Sequence, residues 1–369
     1  MFEPATEQQL SDAVRDASGP LKIRGGGTRP VGNPVTGEVL STAKLSGISL
    51  YEPGTLTIVA QAGTPLAEVE AALAAENQRL PFEPMDHRGM LGTTGEPTIG
   101  GVVAANIAGP RRIQAGSCRD SLIGVRFVDG SGTAIKNGGR VMKNVTGYDL
   151  VKLMAGSYGT LGVISEVSFK LLPGIAASAS ICVEGNTPSQ AVAIMARVLG
   201  SPYEVSGAAY GHGRVLFRIE GFADSIAYRC AQLKDMLSEY GGVGVETDAD
   251  KNKEIWANIA NVVAFHDVPG DLWRISVKPS EAPALVDALG LRKTMLDWGG
   301  GLIWALAEPG TDLRAIAPEI KGHRTLIRAD DATKGKLGVF QPEPGLEAIN
   351  QGLRAKFDPR GILNPGLMG

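Results

Sequence analysis

Behind Thr6-Glu7-Gln8-Gln9 the apolar positions fall at helical spacing, with Leu10, Ala13, Val14 and Ala17 on one face. Thr followed three residues later by Gln is a capping box, so a helix is predicted to start there and to stop at Gly19-Pro20. Leu21-Lys22-Ile23-Arg24 then predicts a short strand running into Gly25-Gly26-Gly27-Thr28-Arg29. A strand is predicted at 56–60, ending at Gly63, and Pro65 opens a helix with Leu66, Val69 and Leu73 on one side. Leu80-Pro81-Phe82 closes that unit. The apolar run 122–128 reads as a strand, and Asp129-Gly130-Ser131-Gly132 as a hairpin turn. Val163, Ser165, Val167, Phe169 and Leu171 alternate along one more strand, which ends at Pro173-Gly174.

After Pro173 the texture changes to β-α-β alternation with few polar clusters. Strands are predicted at 181–183, 215–219, 272–277 and 302–306, with helices at 189–199 and 280–289. Between them Ile226, Cys230, Leu233, Leu237 and Tyr240 line one side of a helix, which makes Cys230 a small core residue. The chain therefore divides into a first domain at 1–173, a smaller α+β domain at 174–335 and a C-terminal segment at 336–369. In that last segment Leu346, Ile349, Leu353 and Phe357 form a helical face.

Composition narrows the function. Glycine supplies 49 of 369 residues, near twice the usual level of about 7%. These glycines cluster in loops, as ligand cradles do. A net charge of −3 and only 5% aromatic residues argue against nucleic acid. The three cysteines, Cys118, Cys182 and Cys230, are far apart, which disfavours zinc ribbons, iron–sulfur clusters and a disulfide framework. No signal peptide is expected behind Met1-Phe2-Glu3-Pro4, and no apolar run reaches eighteen residues, so any membrane contact is expected to be peripheral or through a partner.

Three consecutive glycines after a strand let amides converge on an anion, with Thr28 and Arg29 adding a hydroxyl and a charge. Neither familiar phosphate loop fits. A G-x-G-x-x-G starting at Gly25 would need glycine where Pro30 stands, and no G-x-x-x-x-G-K-[ST] occurs. Residue by residue, a phosphate cradle and a tight turn both remain open here. Arg111, Arg112 and Arg119 form a basic cluster, of which at least one is expected to be plain solvated surface.

Taken in order, Arg24-Gly25-Gly26-Gly27-Thr28, Thr98-Ile99-Gly100-Gly101, the segments 116–120, 144–150 and 159–164, and the tail 357–366 resemble the flavoproteins of the vanillyl-alcohol oxidase and p-cresol methylhydroxylase (PCMH-type) family. Within it the run Val141-Met142-Lys143-Asn144-Val145-Thr146-Gly147-Tyr148-Asp149-Leu150 is similar to the FAD-binding subunits of bacterial glycolate oxidases. The resemblance implies a PCMH-type domain of two subdomains clamping an extended FAD, followed by an α+β cap domain. It implies that the amides of residues 25–29 hold the pyrophosphate, while Thr98, Gly100 and Gly101 line the flavin and ribityl chain. Asn106 and Asp120 would add polar contacts, Ile164 would touch the cofactor through its backbone, and Asn364 would return to the flavin edge. Arg24, Ile99, Gly109, Gly116, Gly159 and Gly162 complete the cofactor-binding candidates. With no His or Cys at 24–29, the FAD is expected to be non-covalent.

Relatives that oxidise 2-hydroxy acids unaided carry paired histidines and an acid that bind a metal beside the flavin. Here His87, His212, His266 and His323 are isolated, so no metal site and no catalytic base is assigned. The resemblance implies a cytoplasmic subunit of a glycolate-oxidising complex, partnered by a related FAD-binding catalytic subunit and an iron–sulfur subunit that passes electrons toward quinone. Two alternatives stand beside it. One is a stand-alone FAD-dependent hydroxy acid or alcohol dehydrogenase; the other is a non-catalytic, FAD-loaded structural subunit.

Overall fold

The computed structural model describes residues 1–139 and 147–369, so the 141–146 portion of the tyrosine-containing run lies outside the described residues. The described chain forms two units: Met1–Ala108 with Gly116–Gly174 and Pro342–Gly369, and Gly109–Ala115 with Ile175–Gln341.

The first unit begins with α1 (Glu7–Asp16), where Thr6 accepts from the Gln9 amide but the Gln9 side chain accepts from the Ala5 amide instead of that of Thr6, so the expected capping box is half formed. Strands β1 (Leu21–Arg24) and β2 (Glu38–Ser41) pair in parallel. An antiparallel five-stranded sheet follows, built from β3 (Ile48–Glu52), β4 (Thr57–Gln61), β6 (Leu122–Val128), β7 (Ala134–Gly138) and β8 (Val163–Lys170) in the order β3-β4-β8-β6-β7. The short strands β5 (Gln78–Arg79) and β9 (Leu172–Pro173) pair beside it. Asp129 closes the β6–β7 hairpin by accepting from the Ser131 and Thr133 amides. Strand β8 is central and buried on both faces, so Val163, Ile164, Val167 and Phe169 all enter the core. Helices α2 (Leu66–Ala75) and α3 (Ile99–Ala104) add Val69, Leu73, Ile99, Val102 and Val103 to that core.

The second unit is one eight-stranded sheet: β10 (Ala177–Val183), β11 (Val205–Gly211), β12 (Arg214–Gly221), β13 (Val243–Glu246), β14 (Asp271–Val277), β15 (Lys293–Asp297), β16 (Leu302–Ala307) and β17 (Gly322–Arg328). Their order is β13-β10-β12-β11-β15-β16-β14-β17. The pairings are antiparallel, so the alternation of strand and helix in the sequence does not make parallel crossovers. Helices α4 (Pro188–Leu199), α5 (Ala223–Leu237) and α6 (Ala282–Leu289) pack their apolar stripes on this sheet, with Cys230 in the core.

The segment 109–115 groups with the second unit for identifiable reasons. Ile113 packs on its core, and Trp298 Nε1 donates to the Gly109 carbonyl at 3.0 Å. Arg111, which is buried, makes a two-pronged ion pair with Glu220 at 2.5 and 3.1 Å. Arg112 and Arg119 are exposed, as expected of a solvated surface. Residues 336–341 also stay with this unit, since Val339 is buried and its carbonyl accepts from the Leu326 amide. The final helix, Glu347–Phe357, belongs to the first unit. Its predicted apolar face is only half used: Leu353 and Phe357 pack on the core, whereas Leu346 and Ile349 are exposed.

Candidate cofactor site

Strand β1 ends at Arg24 and delivers the three glycines against a second loop at 95–98. A Cβ on Gly26 would lie 1.5 Å from the Glu96 carbonyl oxygen, and one on Gly95 would lie 1.8 Å from the Gly26 oxygen. The two loops thus touch backbone to backbone, and only glycine permits it. Thr98 Oγ1 caps the Gly101 amide at 3.4 Å and would lie 2.6 Å from a Cβ on Gly25. Arg24, Gly25, Gly26, Gly63, Pro65 and Thr98 line a cleft of about 370 Å³ in this wall. The amides of Gly26, Gly27, Thr28 and Arg29 have no protein acceptor among the described residues. Four adjacent donors with no internal partner suit an anion.

Arg29 lies beside these amides. It donates from Nε to His87 Nδ1 and from an η nitrogen to the Met85 carbonyl, both at 3.2 Å. Burial lowers its pKa to about 10, against the opposing pull of Asp86. Asp86 itself is held by Arg88 at 2.9 Å. Even at about 10 the guanidinium stays charged at neutral pH.

The Thr98–Gly101 motif divides its labour. The Ile99 amide bonds the Thr64 carbonyl at 3.0 Å and the Gly100 amide bonds the Ala62 carbonyl at 2.8 Å. A Cβ on Gly100 would meet Ala62 at 2.6 Å. Ile99 and Gly100 are therefore buried packing elements, while Thr98 and the partly exposed Gly101 sit at the cleft side of the turn.

Asn106, at φ +47°, accepts from the Arg119 amide at 2.9 Å. Asp120 accepts from both the amide and hydroxyl of Ser117 at 2.7 and 2.9 Å, completing a capping box behind Gly116. Both side chains hold this turn in shape. Gly109, placed by sequence with the cofactor loops, lies in the second unit.

In the loop 156–162, Gly159 takes φ +71° and Gly162 backs onto Phe127, where a Cβ would approach to 2.6 Å. Ile164 is buried in β8, in register with Phe127. Ser157, just outside the motif segment 159–164, has a buried hydroxyl with no partner among the described residues. An orphaned hydroxyl of this kind calls for a polar group from outside the protein. His87, buried against Arg29, left no signal in the sequence because 58 residues separate the pair. Among the other histidines, His212 sits at φ +52° in the turn between β11 and β12, and His266 bonds the Asn261 carbonyl at 2.8 Å. Among the described residues no cluster of three His, Cys, Asp or Glu side chains could hold a metal ion.

Residues 1–138 match the FAD binding domain family. The whole chain is 38% identical to glycolate oxidase subunit GlcE of Escherichia coli (strain K12), covering 100% of this chain and 97% of that one. The chain belongs to the GlcE family. Glycolate oxidase subunit GlcD of Bacillus subtilis (strain 168) is 35% identical over 42% of this chain and 32% of its own length. A solved structure of alkyldihydroxyacetonephosphate synthase matches 98% of this GlcE-family chain and 76% of its own, with a TM-score of 0.71 at 16% identity, which speaks to fold alone. The fold is thus the α+β, PCMH-type FAD-binding architecture expected from the glycine loops. The unbonded amides, the half-buried Arg29 and the orphaned Ser157 hydroxyl fit FAD, whose pyrophosphate is anionic and whose flavin offers hydrogen-bonding edges. No helix among the described residues is long and apolar enough to cross a membrane.

Proposed function

We propose that this chain is the FAD-binding subunit of a multi-subunit glycolate oxidase. It holds FAD non-covalently and works with a related FAD-binding catalytic subunit and an iron–sulfur subunit that passes electrons toward quinone. The observation that carries the reading is the row of unbonded amides at residues 26–29 beside the half-buried Arg29, in a chain alike along its full length to a glycolate oxidase subunit.

When bound, FAD supplies a redox centre able to take up and pass on electrons. The residues of this chain bind and orient it. The amides of Gly26, Gly27 and Thr28 and the charge of Arg29 would neutralise the two phosphates. Gly25, Thr98 and Gly101 would bound the ribityl chain, and the backbone of Gly159, with the Ser157 hydroxyl, would face a polar edge of the cofactor. Arg24, Gly162, Ile164, Asn106, Gly116 and Asp120 shape the loops that do this. Substrate oxidation is assigned to the partner. Among the described residues no cluster of three His, Cys, Asp or Glu side chains could hold a metal ion beside the flavin, which supports that assignment.

An anaerobic visible spectrum of the purified chain, before and after glycolate, tests the assignment. A flavin band that persists with glycolate is the expected result. A band that bleaches would move substrate oxidation onto this chain and favour a stand-alone dehydrogenase. Acid precipitation is expected to leave the flavin in the supernatant; flavin retained in the pellet would overturn the non-covalent attachment.

A further inference from the structure

The C-terminal tail runs beside β1 and meets it at an isolated bridge. Leu21 and Leu363 make a parallel bridge, the Leu21 amide donates to the Ile362 carbonyl at 2.7 Å, and the Asn364 amide donates to the Leu21 carbonyl at 3.0 Å. Asp358 holds the approach by accepting from the Ile362 and Leu363 amides at 3.1 and 2.8 Å. Just beyond this bridge the Asn364 side chain, 3% exposed, links two distant loops. Its Oδ1 accepts from the Ile23 amide and its Nδ2 donates to the Tyr158 carbonyl, both at 2.8 Å. Ile23 stands two residues before the glycine loop, and Tyr158 directly precedes Gly159.

From this geometry we infer that Asn364 is a positioning residue: its amide fixes the spacing between the 25–29 loop and the 157–162 loop, and so presets both for FAD. It acts through the protein backbone, with Oδ1 engaged by the Ile23 amide and Nδ2 by the Tyr158 carbonyl. Three features support that role. Asn364 adopts φ +44°, a left-handed conformation that asparagine tolerates and most residues do not. Gly159 has no room for a side chain on this side, because its Cβ would lie 3.0 Å from Asn364 Nδ2. The amide is also the one neutral side chain short enough to donate at one end and accept at the other. Aspartate would keep the acceptor but set an oxygen against the Tyr158 carbonyl.

The inference rests on the FAD reading, and its test separates the two. FAD titration of the full apo chain, followed by flavin fluorescence, is compared with the visible spectrum and melting of wild type, Asn364→Gly and Asn364→Asp. Glycine keeps the backbone conformation at no steric cost, so its effect isolates the amide. Asn364→Gly is expected to weaken FAD binding by about tenfold to a hundredfold, the cost of one or two lost buried hydrogen bonds. Asn364→Asp is expected to fold, to bind FAD more weakly than wild type, and to shift or broaden the flavin band. FAD bound by either variant as tightly as by wild type, with an unchanged spectrum, overturns the inference alone. A wild-type chain that takes up no FAD overturns the cofactor reading and the inference together.

Discussion

The loops of the first unit and the arginines of the second handle backbone polarity in opposite ways. In the 26–29 loop, amides point away from any protein acceptor among the described residues. In the second unit, buried or half-buried arginines satisfy carbonyls that loops and helix ends leave behind. Arg324, 3% exposed, donates to the carbonyls of Leu313, Ile316, Ala317 and Ile320. Arg314 serves Leu337, Gly338 and Val339, and Arg328 serves Phe265, His266 and Val268. Open donors at a cleft mark binding, whereas donors closed on carbonyls mark architecture.

This contrast can be broken most forcefully at Gly26. Gly26→Asp places a Cβ into the Glu96 carbonyl and a carboxylate beside the amides, so FAD binding is expected to fall more than a hundredfold in a fluorescence titration. Arg324→Ala strands several carbonyls at about 1–3 kcal/mol each before relaxation, so a loss of roughly 3 kcal/mol or more is expected by denaturant melting. Its FAD affinity per folded molecule should be unchanged, and a parallel loss of affinity would erase the division.

Glu220 sharpens the architectural side through pH. Burial alone would raise its carboxyl, but the Arg111 hydrogen bonds and the Arg218 and Arg111 charges hold it at about 2. A folded pKa below the unfolded value gives stability that is complete above about 4.5 and lost as pH falls toward 2. The shift corresponds to about 3 kcal/mol. Wild type should therefore lose stability relative to Glu220→Gln across that window, and parallel pH profiles would refute it. The smallest effect is expected at Arg29→Gln. Losing a cation from the pocket should weaken FAD about tenfold, while relief of its burial keeps melting within about 1 kcal/mol of wild type. Unchanged affinity would remove Arg29 from the site.

How far the sequence reached depends on distance along the chain. The strand leading into Gly25-Gly26-Gly27, the capped first helix, and the strands around Phe127 and Val167 follow from local period and turn chemistry. The family motifs located the loops of the candidate site. They could not show that Gly100 gives its amide to Ala62, because a glycine at a ligand and a glycine in packing look alike in sequence. Nor could they pair Arg111 with Glu220, 109 residues apart, or show that Asn364 reaches Ile23 across 341 residues. Ionic and amide partners carry no periodicity, so long-range pairs emerge only when the chain is folded.

The excursion of 109–115 into the second unit has a consequence for modularity. The chain passes between units after Ala108, Ala115, Gly174 and Gln341, so no single cut separates them. A fragment ending at Gly174 would lack the tail that borders β1, and one starting at Ile175 would lack the arginine that neutralises Glu220. Neither half is a cassette that a gene fusion could transplant intact. An exchange of second units with a relative must carry the seven-residue insert along with the main block.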